Sequence, residues 1–164
     1  MHALFEEDSW SMYKEFGVYV DEIEGLFRQL KNSELRSADD LRNIPDKGIY
    51  VLYENSKPIY VGRSNRISKR LTQHGRGYSD HNSATFAFKL AKETATERQI
   101  DVNKTRAELV KDPKFSKVFG QAKQRVAKMR FRLIPIEDQV SQTLFEVYAI
   151  LKLRTFKYND FVTH

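Results

Sequence analysis

The chain contains no cysteine in its 164 residues, which excludes disulfides, thiolate zinc sites and a cysteine nucleophile, and fits a reducing cytoplasm. It also lacks any apolar run near the roughly 20 residues a membrane helix needs, so a membrane partner is not expected. Basic residues are scarce at the start, where MHALFEEDSW is acidic and no apolar stretch follows. That is unlike a secretory signal, and the expected localisation is cytoplasmic. There is no internal repeat, no low-complexity tract and no linker.

What the chain does have is charge, at 30% of its residues, distributed unevenly. Residues 1–43 carry 5 Lys and Arg against 10 Asp and Glu, and the remainder carries 23 against 12, so an acidic leader of −5 precedes a body of +11. A basic body suits a polyanionic partner through counterion release and steering, although surface lysines also serve solubility. The length fits one core, read as an acidic helical extension over 1–43 packed on a domain over 44–164.

Within the leader, Tyr13, Phe16, Val20, Ile23, Phe27 and Leu30 recur at spacings of three and four, predicting an amphipathic helix over 10–31. Packing on the adjoining sheet is its simplest use. The same stripe would also serve as a seam between two copies, which leaves a homodimer open. Next come GIYVLY and KPIYVG, two β-branched and aromatic runs joined by the hairpin-like connection Glu54–Pro58. A basic helix is predicted from near Ile67, with Arg70 and His74 four residues apart on one face. A second helical segment is predicted from about Ser83 to Lys92.

Residues 93–127 form a polar, charged region that is readable as helical in its later part. Its later part has a buried stripe of Phe115, Val118, Phe119, Ala122 and Val126, with Lys114, Lys117, Lys123 and Arg125 largely off it. Those cations are either a solvated face or a wing that grips phosphates. MRFRLIPI then alternates as a third strand with one wet face, and residues 141–156 read as a helix whose apolar side is Leu144, Val147, Tyr148 and Leu151. Within that helix Glu146 is the only acidic residue, and the tail after it is too short and polar for an element of its own. The expected fold class is α/β (α+β): a small three-stranded sheet flanked by helices.

Gly48-Ile49-Tyr50 and Tyr60-Val61-Gly62, followed in order by Arg70, His74, Glu146 and Asn159, resemble the signature of the GIY-YIG nucleases. Val61 stands where the family has isoleucine, a swap that keeps a β-branched apolar side chain. The resemblance covers roughly residues 46–160 apart from 93–127, which it implies is a helical insertion that a minimal core of this type would not need. It implies a Mg²⁺-dependent endonuclease, with Mn²⁺ an alternative metal, that hydrolyses phosphodiester bonds in DNA by a one-metal mechanism; RNA stays open as a substrate. It further implies Glu146 as metal ligand, Tyr50 as base toward the attacking water, Tyr60 as its helper and Arg70 as a brace for the scissile phosphate. His74 would bond a tyrosine or a phosphate, and Asn159 would orient the site and hold the chain end on the core.

Four of these residues also have a plain structural use: packing for the two tyrosines, an exposed helix face for Glu146, and, for Asn159, a turn with Asp160. Arg63 and Lys69 are expected on neighbouring phosphates, and His81 resembles a basic position in some relatives. The rival to catalysis is a binding module of the same fold that no longer turns over.

Overall fold

The computed structural model describes residues 3–37, 39–75, 77 and 79–159, with side chains from residue 16 onward. Asp160 lies outside the described residues, so only Asn159 of the expected turn pair is described.

The hairpin forms first in the logic of the fold. Strand β2 (Gly48–Glu54) returns as β3 (Lys57–Ser64) through the two-residue turn Asn55-Ser56. Both turn residues have positive φ, 48° and 66°, the backbone twist that matches two right-twisted strands. The register shifts between Leu52↔Tyr60 and Tyr53↔Pro58, leaving Ile59 as a bulge. Strand β4 (Arg130–Pro135) pairs antiparallel with the other edge of β2, and the short β1 (Arg36–Ser37) pairs with β4. The sheet is therefore four-stranded, in the order β1-β4-β2-β3, one strand more than the sequence suggested. The extra strand comes from the leader, because β4 would otherwise present an unpaired edge.

Helices cover both faces. On one face α2 (Ile67–Gly75), α3 (Thr85–Glu97), α4 (Arg106–Lys111) and α5 (Pro113–Ala127) bury Tyr50, Leu52 and Phe131 together with their own Phe86, Phe88, Leu109, Phe115 and Val126. Helix α5 starts cleanly, since Asp112 accepts from the Lys114 and Phe115 amides and Pro113 fills the first turn. On the other face α1 (Ala3–Asn32) and α6 (Gln139–Leu153) bury Ile49, Val51, Val61 and Ile134. None of the helices is long and apolar enough to cross a membrane among the described residues.

Two expectations change with this second layer. Strand β4 was expected to keep one wet face, and it does so only at Arg130 and Arg132; Ile134 and Ile136 on the same side are buried under α1 and α6. Helix α6 turns Phe145, Ala149 and Ile150 inward, while Val147 and Leu151 are 40% and 52% exposed. Its buried stripe is offset from the expected one because the helix packs on both the sheet and α1. The leader stripe divides as well: Ile23, Phe27 and Leu30 are buried, whereas Phe16 and Val20 are exposed.

Candidate active site

Both signature glycines are fixed by what lies against them. Gly48 has φ of 149°, and a Cβ there would sit 2.0 Å from the Ile134 carbonyl oxygen. At Gly62, opposite Tyr50 in the register, a Cβ would fall 2.2 Å from Tyr50 Cζ and 2.3 Å from its hydroxyl. The phenol of Tyr50 thus occupies the space beside Gly62 of β3 that a side chain there would fill.

Tyr50 has no exposed surface, and its hydroxyl is 2.7 Å from His74 Nε2, also in the core at 1% exposure. Burial raises the Tyr50 pKa well above 10, and the neighbouring Tyr60 adds to the rise, while the Arg70 guanidinium pulls the other way. Burial also lowers His74 to about 3, with Arg70 adding repulsion. At neutral pH the pair is a neutral phenol against a neutral imidazole. His74 Nδ1 has no hydrogen-bond partner among the described residues.

Tyr60, half-buried, stacks on Phe86 at 4.6 Å and meets His74 edge-on at 5.6 Å. Arg70 reaches across to the start of α3, donating to the Ser83 carbonyl at 3.0 Å and the Thr85 hydroxyl at 2.9 Å. Beyond Tyr60, the free edge of β3 is closed by Asn159, which accepts from the Val61 amide at 2.9 Å and donates to the Val61 carbonyl at 2.6 Å. A side-chain amide here substitutes for the next strand. It also draws the segment after α6 onto the sheet edge, beside Lys89 of α3 and Glu146 of α6.

The cleft at this edge has a volume of about 380 Å³ and is lined by Tyr60, Lys89, Glu146, Val147, Ile150, Tyr158 and Asn159. Tyr60 comes from one side of the sheet and Glu146, on α6, from the other. Burial raises the Glu146 pKa above the usual carboxylate value, and Arg63, 3.4 Å away, opposes the rise. Arg63 also donates to the Thr143 hydroxyl. Among the described residues no three acidic, histidine or cysteine side chains gather around one point, and Glu146 is the one carboxylate among those lining the cleft.

The larger concavity, about 580 Å³, lies elsewhere, between the hairpin tip and α5. It contains none of the signature residues, and its Arg125 and Glu54 are paired through two 2.6 Å hydrogen bonds. Chemistry rather than volume therefore locates the site.

The cations expected to grip phosphates are spread apart. Lys123 donates to the carbonyls of Gly77 and Ser79 and lies over the Phe119 ring, so both it and Arg125 have internal partners. Lys114 and Lys117 on α5 and Lys69 on α2 are exposed. The His81 carbonyl accepts from Arg106, and its ring centroid is 6.4 Å from that of Phe88. None of these, nor Arg70, is among the described residues lining the cleft.

Two cleft residues had no signal in the sequence. Lys89 follows Phe86 by one helical turn on α3, and its ammonium donates to the Tyr158 carbonyl at 2.9 Å. The Tyr158 hydroxyl donates in turn to Glu93 at 2.6 Å, a further turn along the same helix. A lysine and a glutamate at such positions look like any solvated helix face until the chain end folds over them.

No curated protein and no solved structure matches the chain. The family model for the GIY-YIG catalytic domain matches residues 46–159. That span runs from the turn before β2 to the asparagine that closes the edge of β3, and holds every residue just described at the cleft. The chain belongs to the GIY-YIG family, whose domain is of nuclease type.

Proposed function

We propose that the protein is a metal-dependent endonuclease that hydrolyses phosphodiester bonds in DNA with a single divalent cation. The observation that carries this is the meeting of Tyr60 and Glu146, from opposite sides of the sheet, in one cleft at the free edge of β3. A phenol that can hold a water and a carboxylate that can hold a cation are two of the parts that phosphodiester hydrolysis requires.

The residues present fit Mg²⁺. A hard cation of this kind binds through one or two carboxylates and keeps several waters. The cleft offers one carboxylate and, at 380 Å³, space for waters of roughly 30 Å³ each. The raised pKa of Glu146 means that its charge is under-compensated even with Arg63 beside it. Glu146 would hold the metal, and Mn²⁺ would fit the same oxygen donor. When bound, the cation would offset charge developing on the phosphoryl oxygens and favour ionisation of water. Arg63 would leave Glu146 for a neighbouring phosphate.

Exposure supports exchanging the tyrosine roles that the resemblance implies. Tyr60 lines the cleft and is the phenol able to contact the attacking water, whereas Tyr50 is closed off behind Gly62. A histidine lowered to about 3 is a weak base, so Tyr50 and His74 act as a neutral hydrogen-bonded pair that positions Tyr60. Arg70 would brace a phosphate only by leaving Ser83 and Thr85.

The test is cleavage of plasmid, linear duplex, branched DNA and RNA with Mg²⁺ by the parent and by Glu146→Ala. A parent that cuts none of them, or a variant that cuts as fast, ends the proposal. The Arg63–Glu146 ion pair favours a second reading, a binding module whose carboxylate is already neutralised. Mn²⁺ titration followed by electron paramagnetic resonance separates the two, because the binding module would show no site lost in Glu146→Ala.

A further inference from the structure

We infer that Lys89 is the phosphate-contacting cation of the cleft, holding a non-bridging oxygen of the substrate strand beside Tyr60. This rests on the nuclease reading above. Lys89 is the one cation among the described residues that line the cleft, and it shares that lining with Tyr60, Glu146 and Asn159. Arg70, the cation assigned to the phosphate by resemblance, ties α2 to the start of α3 and bonds the buried Tyr50 hydroxyl, and it is not among the described residues that line the cleft.

The ammonium is also held in place. A long, flexible lysine loses rotamer freedom when it binds an anion, and prior fixing reduces that loss. Here the Tyr158 carbonyl fixes Nζ at 2.9 Å, and Tyr158 is itself fixed through its hydroxyl to Glu93. Phe86, one turn before Lys89, stacks on Tyr60, so a single rigid helix sets both the phenol and the ammonium. A phosphate entering the cleft would meet Glu146, which repels it unless a cation is bound, and Lys89, which attracts it. The lysine thus supplies a positive charge that does not depend on the metal.

The experiment measures affinity for a short DNA duplex in EDTA across 50–200 mM salt for the parent, Lys89→Met and Lys89→Arg, with melting curves for each. Loss of one phosphate contact should make the salt slope shallower by about 0.9, so that the Met variant loses about 3- to 4-fold less affinity than the parent over that range. Lys89→Arg should keep the parental slope. With Mg²⁺, the Met variant should show a raised KM.

A Lys89→Met variant with the parental slope overturns the inference, whatever its melting temperature, because a lysine that merely anchors Tyr158 would change stability and not counterion release. The nuclease reading fails separately, through uncut substrates or an active Glu146→Ala, and the slope still decides whether Lys89 meets a phosphate.

Discussion

The Tyr50 hydroxyl and His74 Nε2 lie 2.7 Å apart with both side chains in the core, joining the first signature strand to the helix that follows the second. The pair has a consequence for stability. His74 titrates near 6.5 when unfolded and at about 3 when folded, so between those values the unfolded chain binds the extra proton and stability rises with pH. From pH 6.5 down to 5, where most carboxylates stay ionised, this group's cost per pH unit should grow from about 0.7 to about 1.4 kcal/mol. Urea unfolding at a series of pH values should show that slope in the parent and a flatter one in His74→Gln. Equal slopes would mean that His74 does not enter the core neutral.

Asn159 yields a second prediction. Its amide pairs with both the N–H and the C=O of Val61 at the sheet edge. Asn159→Ala leaves both groups without that partner, at about 1–3 kcal/mol for each group kept from water. Asn159→Asp should be no better, since a carboxylate accepts from the amide but sets oxygen against the Val61 carbonyl. Hydrogen exchange at the Val61 amide should quicken in both variants. Protection equal to the parent would show that another group closes this edge.

The hairpin, its two glycines and the order of the signature residues were legible because each rests on local chemistry. Asn55-Ser56 can adopt positive φ, and Gly62 admits a ring where any Cβ would collide. Which of the two tyrosines is buried and which lines the cleft was not legible. GIYVLY is apolar at nearly every position, as expected for a strand covered on both faces, and such a run does not say which phenol is sealed in. The buried side of α6 was misplaced for a related reason: a helix wedged between a sheet and α1 buries a wider and rotated stripe. Lys89 and Tyr158 share a cleft with Glu146 only through long-range packing of the segment after α6, which no spacing within a helix encodes.

The Arg63–Glu146 pair predicts opposing effects from one substitution. Arg63 lowers the Glu146 pKa against burial, so Arg63→Met should raise it further and move the acid limb of the pH–rate profile to higher pH at limiting Mg²⁺. At a pH well above that limb in both proteins, the same variant should bind Mn²⁺ more tightly because a competing cation is gone. Glu146→Gln should bind it weakly and lose about a hundredfold in rate or more. Unchanged Mn²⁺ affinity in Arg63→Met would detach Arg63 from the metal position.

The exchanged tyrosine roles make the sharpest kinetic prediction. Tyr60→Phe keeps the ring that stacks on Phe86 and removes only the hydroxyl, so the fold should persist while kcat falls by about 10²-fold, as when a single transition-state donor is lost. Tyr50→Phe removes the partner of His74 Nε2 and leaves a second unpaired nitrogen on a buried ring, because Nδ1 has no partner among the described residues. Its main effect should be on stability, about 1–3 kcal/mol, with a smaller loss in kcat measured well below the melting transition. Rates and melting curves for both variants decide the matter. A Tyr50→Phe enzyme that is as stable as the parent and slower than Tyr60→Phe would return the water-activating role to Tyr50, and would require β3 to move away from its ring during turnover.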